Sequence, residues 1–344
     1  MTDRDDSQGA ERRDFLKLGA ATALGWAASG TARGAGLPPL PSNPRTASAM
    51  PTRNLGRTGY TVGIFSLGGQ ASVELPNNEA VAVPIVERAI DLGVNYIDTA
   101  RYGNGVSQKY IGQVMKRRRR EVFLATKTRD RTRDGSLKLL EESLNSLQTD
   151  HLDLWQIHNL SRMEEIEAIF APDGAVKALV EAKEKGLVRN IGITGHADPD
   201  VLIEGLKRHP FDTILLALNA ADRHHLSFSE KLLPLAVERE MGIIGMKIPA
   251  RGRILASWKP GQGLYPARES DGGPGKLDMK EALRYVLSLP VSTVIIGCDN
   301  IAQLEENVAI ARSFVPLSPA QMASLEQRTA DIKRQALFFR RWQA

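Results

Sequence analysis

The sequence predicts an α/β fold: a (β/α)8 TIM barrel with an N-terminal β-hairpin and a C-terminal extra helix. Short apolar runs alternate with helical patterns between residues 65 and 313, and βαβ connections of this kind join parallel strands of one sheet. The chain has 344 residues, of which 42% are hydrophobic and 25% are charged, an ordinary composition for a globular protein. This length is sufficient for one barrel domain of roughly 250 residues.

The elements follow one another in a regular order. A hairpin is predicted over residues 50–63, with Gly56 and Gly59 near its turn, and a final helix starts at Ser318 with a capping box. The predicted barrel strands are 65–69, 94–98, 121–126, 151–157, 188–194, 211–218, 242–248 and 291–297. The predicted helices are 79–93, 107–118, 136–147, 174–185, 199–208, 229–240, 278–288 and 301–313.

The first 50 residues differ in composition from the rest of the chain. The string RRDFLK, which contains Arg12 and Arg13, precedes a weakly apolar stretch of about 13 residues, shorter than the ~20 residues that span a bilayer. This start resembles a twin-arginine (Tat) export signal, and an ordinary amphipathic helix with an arginine pair is the alternative. Residues rich in Pro, Ser and Ala follow, as in a linker. We therefore predict a Tat signal peptide over 1–36, a linker over 37–49 and the barrel over 50–344.

The Tat resemblance implies a location and a partner. We expect the Tat translocase to export the protein to the periplasm or beyond the cytoplasmic membrane. We also expect no integral membrane segment in the mature form, because the apolar stretch is too short to span the bilayer.

Charge and cysteine content narrow the function classes. The formal net charge of +5 derives in part from the basic run 116–120, which we interpret as a solvated turn. Nucleic acid is not an expected partner, because no basic face with interleaved aromatic residues accompanies this run. The single cysteine, Cys298, excludes a disulfide within the chain and a cysteine-ligated iron–sulfur cluster or zinc site.

Three polar residues occur where predicted strands end. Asp98 ends VNYID, Lys127 follows EVFLAT, and His158 follows HLDLWQI, while Tyr102 lies four residues after Asp98. The carboxyl ends of barrel strands converge on one face, so these side chains can share a pocket. A Tyr, Lys, Asp and His group is suited to moving a proton onto a carbonyl oxygen.

Several strings together carry a family resemblance. NLGRTG, FSLGG, VNYIDTARYGNG, EVFLATKT, LQTDHLDLWQIH, EKGLVRNIGITGH, GIIGMK and VIIGCDNIAQLEENV make the chain resemble an aldo-keto reductase from about Met50 to the end. The resemblance implies a (β/α)8 barrel that binds a nicotinamide dinucleotide without a Rossmann motif. Consistent with this, no Gly-x-Gly-x-x-Gly opens a helix after a strand in this sequence.

The resemblance implies a catalytic group of Asp98, Tyr102, Lys127 and His158. In that arrangement Tyr102 donates the proton, Lys127 lowers the pKa of the phenol, Asp98 pairs with the lysine, and His158 orients the carbonyl oxygen. This chain departs from the family pattern in one respect, since three residues separate Asp98 from Tyr102 where the family usually has four. We expect the loop to absorb the shorter spacing, because Gly103 permits unusual backbone angles.

The resemblance also implies a set of cofactor-binding residues. Thr194 falls where the family places a serine that contacts the carboxamide, Leu215 replaces a glutamine, and Met246 replaces a stacking aromatic residue. His196 contacts the carboxamide or substrate, or it caps the helix entry. The implied cofactor-binding residues are Thr194, Gly195, His196, Asn219, Met246, Lys247, Arg251, Gly297, Gln303, Glu306 and Asn307.

NADP(H) is the expected cofactor, with NAD(H) as the alternative. Gly297 and Gln303 stand where a lysine and an arginine often hold the 2′-phosphate, and Gly/Gln variants are familiar in the family. Asn300 caps the helix that follows, and the free N–H groups of this helix suit a phosphate. Arg251 and Arg253 either reach the pyrophosphate or are surface residues. The long Gly- and Pro-rich loop 248–277 is typical of a lid.

Three functions compete at this point. The first is an exported NAD(P)H-dependent reductase of aldehyde or ketone carbonyls. The second is a nucleotide-binding barrel with weak or no catalysis, a sensor or regulatory module, suggested by the short Asp98–Tyr102 spacing. The third, a metal-dependent hydrolase using Asp98, His158 and His196, is disfavoured because the first strand lacks a His-x-His pair. We expect no metal.

Overall fold

The structure, a computed structural model, describes residues 37–259 and 272–341. Eight parallel strands close into a barrel in which each strand pairs with its neighbours in sequence, and the last strand pairs with the first. The predicted (β/α)8 barrel with its N-terminal hairpin is therefore confirmed. The strands are β1 Thr52–Asn54 and β2 Thr61–Gly63 of the hairpin, then β3 Phe65–Gly68, β4 Tyr96–Asp98, β5 Phe123–Thr128, β6 Leu152–Ile157, β7 Val188–Gly195, β8 Thr213–Ala217, β9 Gly242–Met246 and β10 Thr293–Ile296.

Helices surround the barrel, and three of them, Thr46–Ala49, Met163–Phe170 and Lys333–Ala336, were not predicted. The helix Met163–Phe170 lies inside the connection between β6 and β7, and its start is stabilised by Glu165, which accepts the backbone N–H groups of Ser161 and Arg162. The helices are α1 Thr46–Ala49, α2 Glu79–Asp91, α3 Val106–Arg118, α4 Arg133–Leu147, α5 Met163–Phe170, α6 Ala175–Glu184, α7 Pro199–Arg208, α8 Phe228–Glu238, α9 Met279–Ser288, α10 Ile301–Arg312, α11 Pro319–Thr329 and the short α12 Lys333–Ala336. Each is too short or too polar to span a membrane, among the residues described.

The barrel interior is filled, and the hairpin closes its amino-terminal end. Leu55 and Tyr60 of the hairpin segment are buried in one cluster with Tyr96, Phe123 and other inward-facing side chains of the strands. A second and larger cluster lies between the strands and the surrounding helices. Burial on this scale is the main favourable term in folding. Because the amino-terminal end is plugged, the carboxyl ends of the strands form the open mouth.

Residues 43–49, which belong to the predicted linker, pack against the barrel. Asn43 Nδ2 donates to the carbonyl oxygens of Ile90 (2.8 Å) and Val94 (3.2 Å). Thr46 Oγ1 donates to the carbonyl oxygen of Gly93 at 2.8 Å. This part of the chain is therefore attached to the end of α2. The division into signal, linker and barrel stays a prediction, and residues 1–36 lie outside the described residues.

The basic run 116–120 was predicted to be a solvated turn, but two of its arginines form ion pairs with the barrel. Arg118 pairs with Asp91 at 2.7 Å, and Arg119, with 13% of its side chain exposed, pairs with the fully buried Asp153 at 2.7 Å. These two cations are therefore engaged by carboxylates of the barrel, because the run sits at the turn between α3 and β5.

Candidate active site

The three predicted strand-end residues meet at the barrel mouth. Asp98 is the last residue of β4, Lys127 lies next to the end of β5, and His158 directly follows β6. These strands are neighbours in the barrel, with Asp98 opposite Ala125 and Lys127 opposite Gln156. The predicted convergence of residues that are 30 positions apart in sequence thus follows from strand order.

Asp98 and Lys127 form a buried ion pair. Only 1% of each side chain is exposed, and Lys127 Nζ donates to Asp98 Oδ1 and, at 2.8 Å, to the carbonyl oxygen of Thr99. The other carboxylate oxygen of Asp98 accepts hydrogen bonds from Gln156 Nε2 (3.0 Å) and the Tyr96 hydroxyl (3.3 Å). Burial lowers the pKa of Lys127, and the charge of Asp98 opposes this shift.

Sequence reasoning missed Gln156, although a signal was present. Gln156 lies two residues before His158, so the period of a strand places both on one face. A polar side chain inside an apolar strand usually has a buried partner. Here that partner is Asp98.

Tyr102 lies in the same site despite the shortened loop. Residues 102–105 form a kinked turn in which Gly103 (φ 57°) and Asn104 (φ 56°) have left-handed backbone, and a Cβ on Gly103 would lie 2.3 Å from the carbonyl oxygen of Glu74. The loop therefore requires glycine at this position and absorbs the missing residue with left-handed backbone. Arg101, the residue before the tyrosine, pairs with Glu142 of α4 and fixes the start of the turn.

The phenol ring faces both polar partners that were predicted for it. Its centroid lies 6.0 Å from that of the His158 ring in an edge-on arrangement, and Lys127 Nζ lies 5.8 Å from the centroid of the Tyr102 ring. Its hydroxyl has no hydrogen-bond partner within residues 37–259 and 272–341. Burial, followed by the charges of Asp98 and Glu74, raises the pKa of Tyr102. The charge of Arg251 lowers this pKa, whereas the expected lowering by Lys127 is not seen.

The two histidines at the mouth are neutral at physiological pH. Burial lowers the pKa of His158 to about 3, and the nearby ammonium groups of Lys127 and Lys247 act in the same direction. Burial also holds the pKa of His196 well below its usual value, and its Nδ1 lies 2.6 Å from Asn159 Oδ1. A neutral imidazole keeps one N–H group, so His158 can donate a hydrogen bond to a substrate oxygen without carrying charge.

A cavity of about 610 Å³ lies beside this group of residues at the mouth. Asp98 and Tyr102 line one end, and Gln303 and Asn307 line the other. The predicted site residues that line it are Asp98, Tyr102, Met246, Lys247, Arg251, Gly297, Gln303, Glu306 and Asn307. The remaining predicted site residues, absent from its described lining, are Lys127, His158, Thr194, Gly195, His196 and Asn219.

Internal bonds account for two of the residues outside the cavity lining. Asn219 donates through Nδ2 to the carbonyl oxygen of Ala336 at 3.1 Å, and its Oδ1 accepts the N–H of Ala221. Thr194 is buried, and its hydroxyl accepts the backbone N–H of Asn159 at 2.8 Å. Asn219 therefore holds the C-terminal segment in place, a long-range contact that no local sequence pattern indicates.

Lys247 is a cation of the cavity whose charge depends on pH. Its Nζ donates to Gln70 Oε1 at 2.9 Å, and Gln70 Nε2 in turn lies 3.3 Å from Glu74 Oε2. Burial and the positive charges of Arg251 and Lys127 lower the pKa of Lys247 to about 8. Its positive charge is therefore present below about pH 8 and declines above that pH. Neither Gln70 nor Glu74 was recognised from the sequence.

The ends of the predicted lid loop contribute to the cavity wall. Residues 255–258 and 277–279 line the cavity, with Trp258 and Leu255 as their large apolar side chains. Among the residues that the structure describes, no group of three or more His, Cys, Asp or Glu side chains is arranged to hold a metal ion. The hydrolase alternative is further weakened because Lys127 already pairs with Asp98.

Comparisons with known proteins agree with this arrangement. The model of the aldo/keto reductase family matches residues 61–262. The chain is 28% identical over 313 residues to the uncharacterized oxidoreductase YqkF of Bacillus subtilis, covering 81% of this chain and 97% of that protein. It is 29% identical over 295 residues to L-galactose dehydrogenase of Arabidopsis thaliana, covering 78% and 90%. The solved holo form of aldo-keto reductase AKR11C1 from Bacillus halodurans matches with a TM-score of 0.67 at 27% identity, covering 81% of this chain and 96% of that one.

Proposed function

The chain belongs to the aldo/keto reductase family, and we propose on that basis that it reduces aldehyde or ketone carbonyls to alcohols with NADP(H), with Tyr102 as the proton donor. The observation that carries the proposal is the buried Asp98–Lys127 pair beside Tyr102 and His158. This group lies next to a cavity large enough for an extended cofactor.

The residues of the cavity fit a nicotinamide dinucleotide. Lys247 and Arg251 provide positive charge for the pyrophosphate, and Gln303 and Asn307 lie at the end where the resemblance places the adenosine. Gly297 makes the close approach between two loops possible, since a Cβ there would lie 2.9 Å from the carbonyl oxygen of Gln70. When bound, the nicotinamide supplies a hydride to the carbonyl carbon.

The side chains of this protein then stabilise and neutralise the negative charge that develops on the carbonyl oxygen. The neutral imidazole of His158 donates a hydrogen bond to that oxygen and orients it. The hydroxyl of Tyr102 delivers the proton to the same atom. Lys127 stabilises the resulting phenolate, and Asp98 keeps the ammonium group charged and in place, which burial alone would oppose.

The preference between the two dinucleotides depends on the adenosine end. Among the described lining residues this end contains Asp299 and Glu306 but no lysine or arginine. Two carboxylates repel a 2′-phosphate, whereas the family resemblance favours NADP(H). We keep NADP(H) as the proposed cofactor and expect its advantage over NADH to be less than about tenfold, because each of these carboxylates opposes the 2′-phosphate by about 1 kcal/mol.

A cofactor titration followed by a carbonyl screen tests this function. We expect NADPH and NADH both to quench tryptophan fluorescence. The nucleotide that binds better should be oxidised when an aldehyde, ketone or quinone is added, because its hydride passes to the substrate. Asp299→Asn should strengthen NADPH binding by about fivefold and leave NADH binding nearly unchanged. Glu305→Gln, in the helix that follows Asp299 and outside the cavity lining, is the matched control. A failure of both nucleotides to bind would contradict the proposed function.

One observation favours the second candidate, a barrel that binds nucleotide but catalyses weakly. The raised pKa of Tyr102 makes its hydroxyl a poorer acid than the phenol of a working proton donor. In that case the protein would hold NADPH tightly and reduce no carbonyl compound. The carbonyl screen therefore separates the two candidates.

We propose in addition that residues 1–36 act as a Tat signal and direct the protein to the periplasm. The support is the Arg12-Arg13 pair before a short apolar stretch. A folded barrel that carries a dinucleotide suits a route that exports folded proteins.

Replacing Arg12 and Arg13 by lysine is expected to retain the precursor in the cytoplasm, because the charge is kept while the paired guanidinium groups are lost. Cell fractionation with immunodetection measures this. Arg33→Lys, beyond the apolar stretch, serves as the control and should be exported normally. Unchanged periplasmic recovery of the double variant would show that the pair is not a signal.

A further inference from the structure

Residues 333–341, which we call the C-terminal strap, lie across the barrel mouth. Gln335 Nε2 donates to the carbonyl oxygen of Arg253 at 2.7 Å, which ties the strap to the loop after β9. The Nδ2 group of Asn219 donates to the carbonyl oxygen of Ala336, which ties it to the loop after β8. The strap thus spans the carboxyl ends of two neighbouring strands.

Arg340 fixes the far end of the strap. Its side chain is fully buried and forms an ion pair with Asp222, of which 1% is exposed. Its guanidinium group also donates to the carbonyl oxygens of His196 (2.6 Å) and Ala217 (2.9 Å) and lies 3.9 Å above the ring of Phe228. A buried and multiply bonded arginine of this kind fixes the backbone on either side of it.

The position of Arg340 determines that of Phe339. The Phe339 ring stands edge-on to the His196 ring, with centroids 6.2 Å apart. Phe339 also packs against the barrel-interior cluster that includes Leu215 and Met246. The cavity reaches Met246, but neither His196 nor Leu215 belongs to its described lining. The cavity therefore ends on the side where Phe339 lies.

We propose that Phe339 competes with the nicotinamide ring for the end of the cavity beside His196, so that the C-terminal strap must open before a dinucleotide is fully bound. This inference rests on the proposed function, together with the family resemblance, which implies that His196 and Met246 contact the nicotinamide. The described hydrogen bonds of Gln303, at the adenosine end, go to Asp299 and Asn300 and not to the strap, so the adenosine half is expected to bind without opening it. Closure by the strap therefore weakens binding of the nicotinamide half alone. The apparent Kd equals the intrinsic Kd divided by the fraction of molecules in which the strap is open.

The test compares two ligands that differ only by the nicotinamide: NADP+ and 2′-phospho-ADP-ribose. Calorimetric titration of Phe339→Ala should give about tenfold tighter binding of NADP+ than wild type, and less than a twofold change for 2′-phospho-ADP-ribose. Arg340→Met should act in the same direction, because it releases the strap. Asp222 keeps its bonds to Ser227 and Ser229 in that variant. Arg341→Met, at the exposed neighbour of Arg340, is the matched control.

Hydrogen exchange of the wild-type protein tests the motion without any substitution. We expect exchange at residues 333–341 to rise when NADP+ binds and to stay unchanged with 2′-phospho-ADP-ribose. Weaker NADP+ binding by Phe339→Ala, or greater protection of the strap with NADP+, would overturn the proposal, because Phe339 would then be a wall of the site. If neither wild type nor Phe339→Ala binds either ligand, both the strap and the proposed function are wrong. Normal binding with the expected changes but without carbonyl reduction contradicts the proposed function alone.

Discussion

Tyr102→Phe is expected to lower kcat for carbonyl reduction by about 10² to 10⁴, the usual contribution of a positioned general acid. The Kd for NADPH should remain nearly the same, because the proposed role of the phenol is toward the substrate oxygen and not toward the nucleotide. The ring lies edge-on to His158 and near Lys127, so phenylalanine can occupy the same space. Steady-state kinetics with the best substrate of the screen, together with a fluorescence titration of NADPH, measures both quantities.

Tyr110→Phe provides the matched control for this experiment. Tyr110 lies eight residues further along, and its hydroxyl donates to the carbonyl oxygen of Leu75 and accepts the N–H of Asn78 outside the catalytic group. We expect this variant to lose about 1 kcal/mol of stability and to keep its kcat. If Tyr102→Phe reduces aldehydes as fast as wild type, the proton comes from another group, with His158 and His196 as the next candidates.

Lys127→Met is expected to lower the free energy of unfolding by about 3–5 kcal/mol, the cost of leaving a buried charge without its partner. Asp98 would retain only its hydrogen bonds from Gln156 and Tyr96, which do not neutralise a carboxylate. Turnover should fall together with stability, because the phenolate of Tyr102 loses its ammonium group. Urea unfolding followed by tryptophan fluorescence gives the stability, and kinetics at saturating NADPH give the turnover.

Two control variants separate the effect of the unpaired charge in Lys127→Met from the effect of losing any lysine side chain. The double variant Asp98→Asn/Lys127→Met removes both charges, so it should recover a large part of the lost stability and none of the lost turnover. Lys231→Met removes an exposed partner of Asp200, paired at 3.1 Å with about half of each side chain exposed, and should cost less than about 1 kcal/mol. Equal losses in Lys127→Met and Lys231→Met would show that the Asp98–Lys127 pair contributes little to folding.

Much of the fold could be predicted from the sequence because its information is local. Alternating apolar runs and helical patterns identify the strands, and the placement of Asp98, Lys127 and His158 at strand ends follows from the direction of parallel strands. The helix Met163–Phe170 was missed because a short insertion in a connection does not disturb that alternation. Boundaries shifted by a few residues, as at β4, which begins at Tyr96 and not at residue 94.

The candidate site was predicted less completely, because its remaining parts depend on long-range contacts. The cofactor contact of Asn219 stays a prediction, and no local pattern indicated that its side chain binds the carbonyl oxygen of a residue 117 positions away. The Arg340–Asp222 pair joins residues 118 positions apart, and in the sequence Arg340 is simply part of a basic tail. The pKa of Tyr102 likewise depends on Glu74, a residue well separated from it in the sequence.

The packing of residues 43–49 sets a limit on how a precursor could be matured. A processing peptidase requires its substrate in an extended and accessible form, and such sites are found in segments without fixed hydrogen bonds. Residues 46–49 form a helical turn, and Asn43 and Thr46 are bonded to the end of α2. If a leader is removed after the barrel has folded, the cut must fall on the N-terminal side of Asn43. The mature protein would then keep this segment as its first structural element.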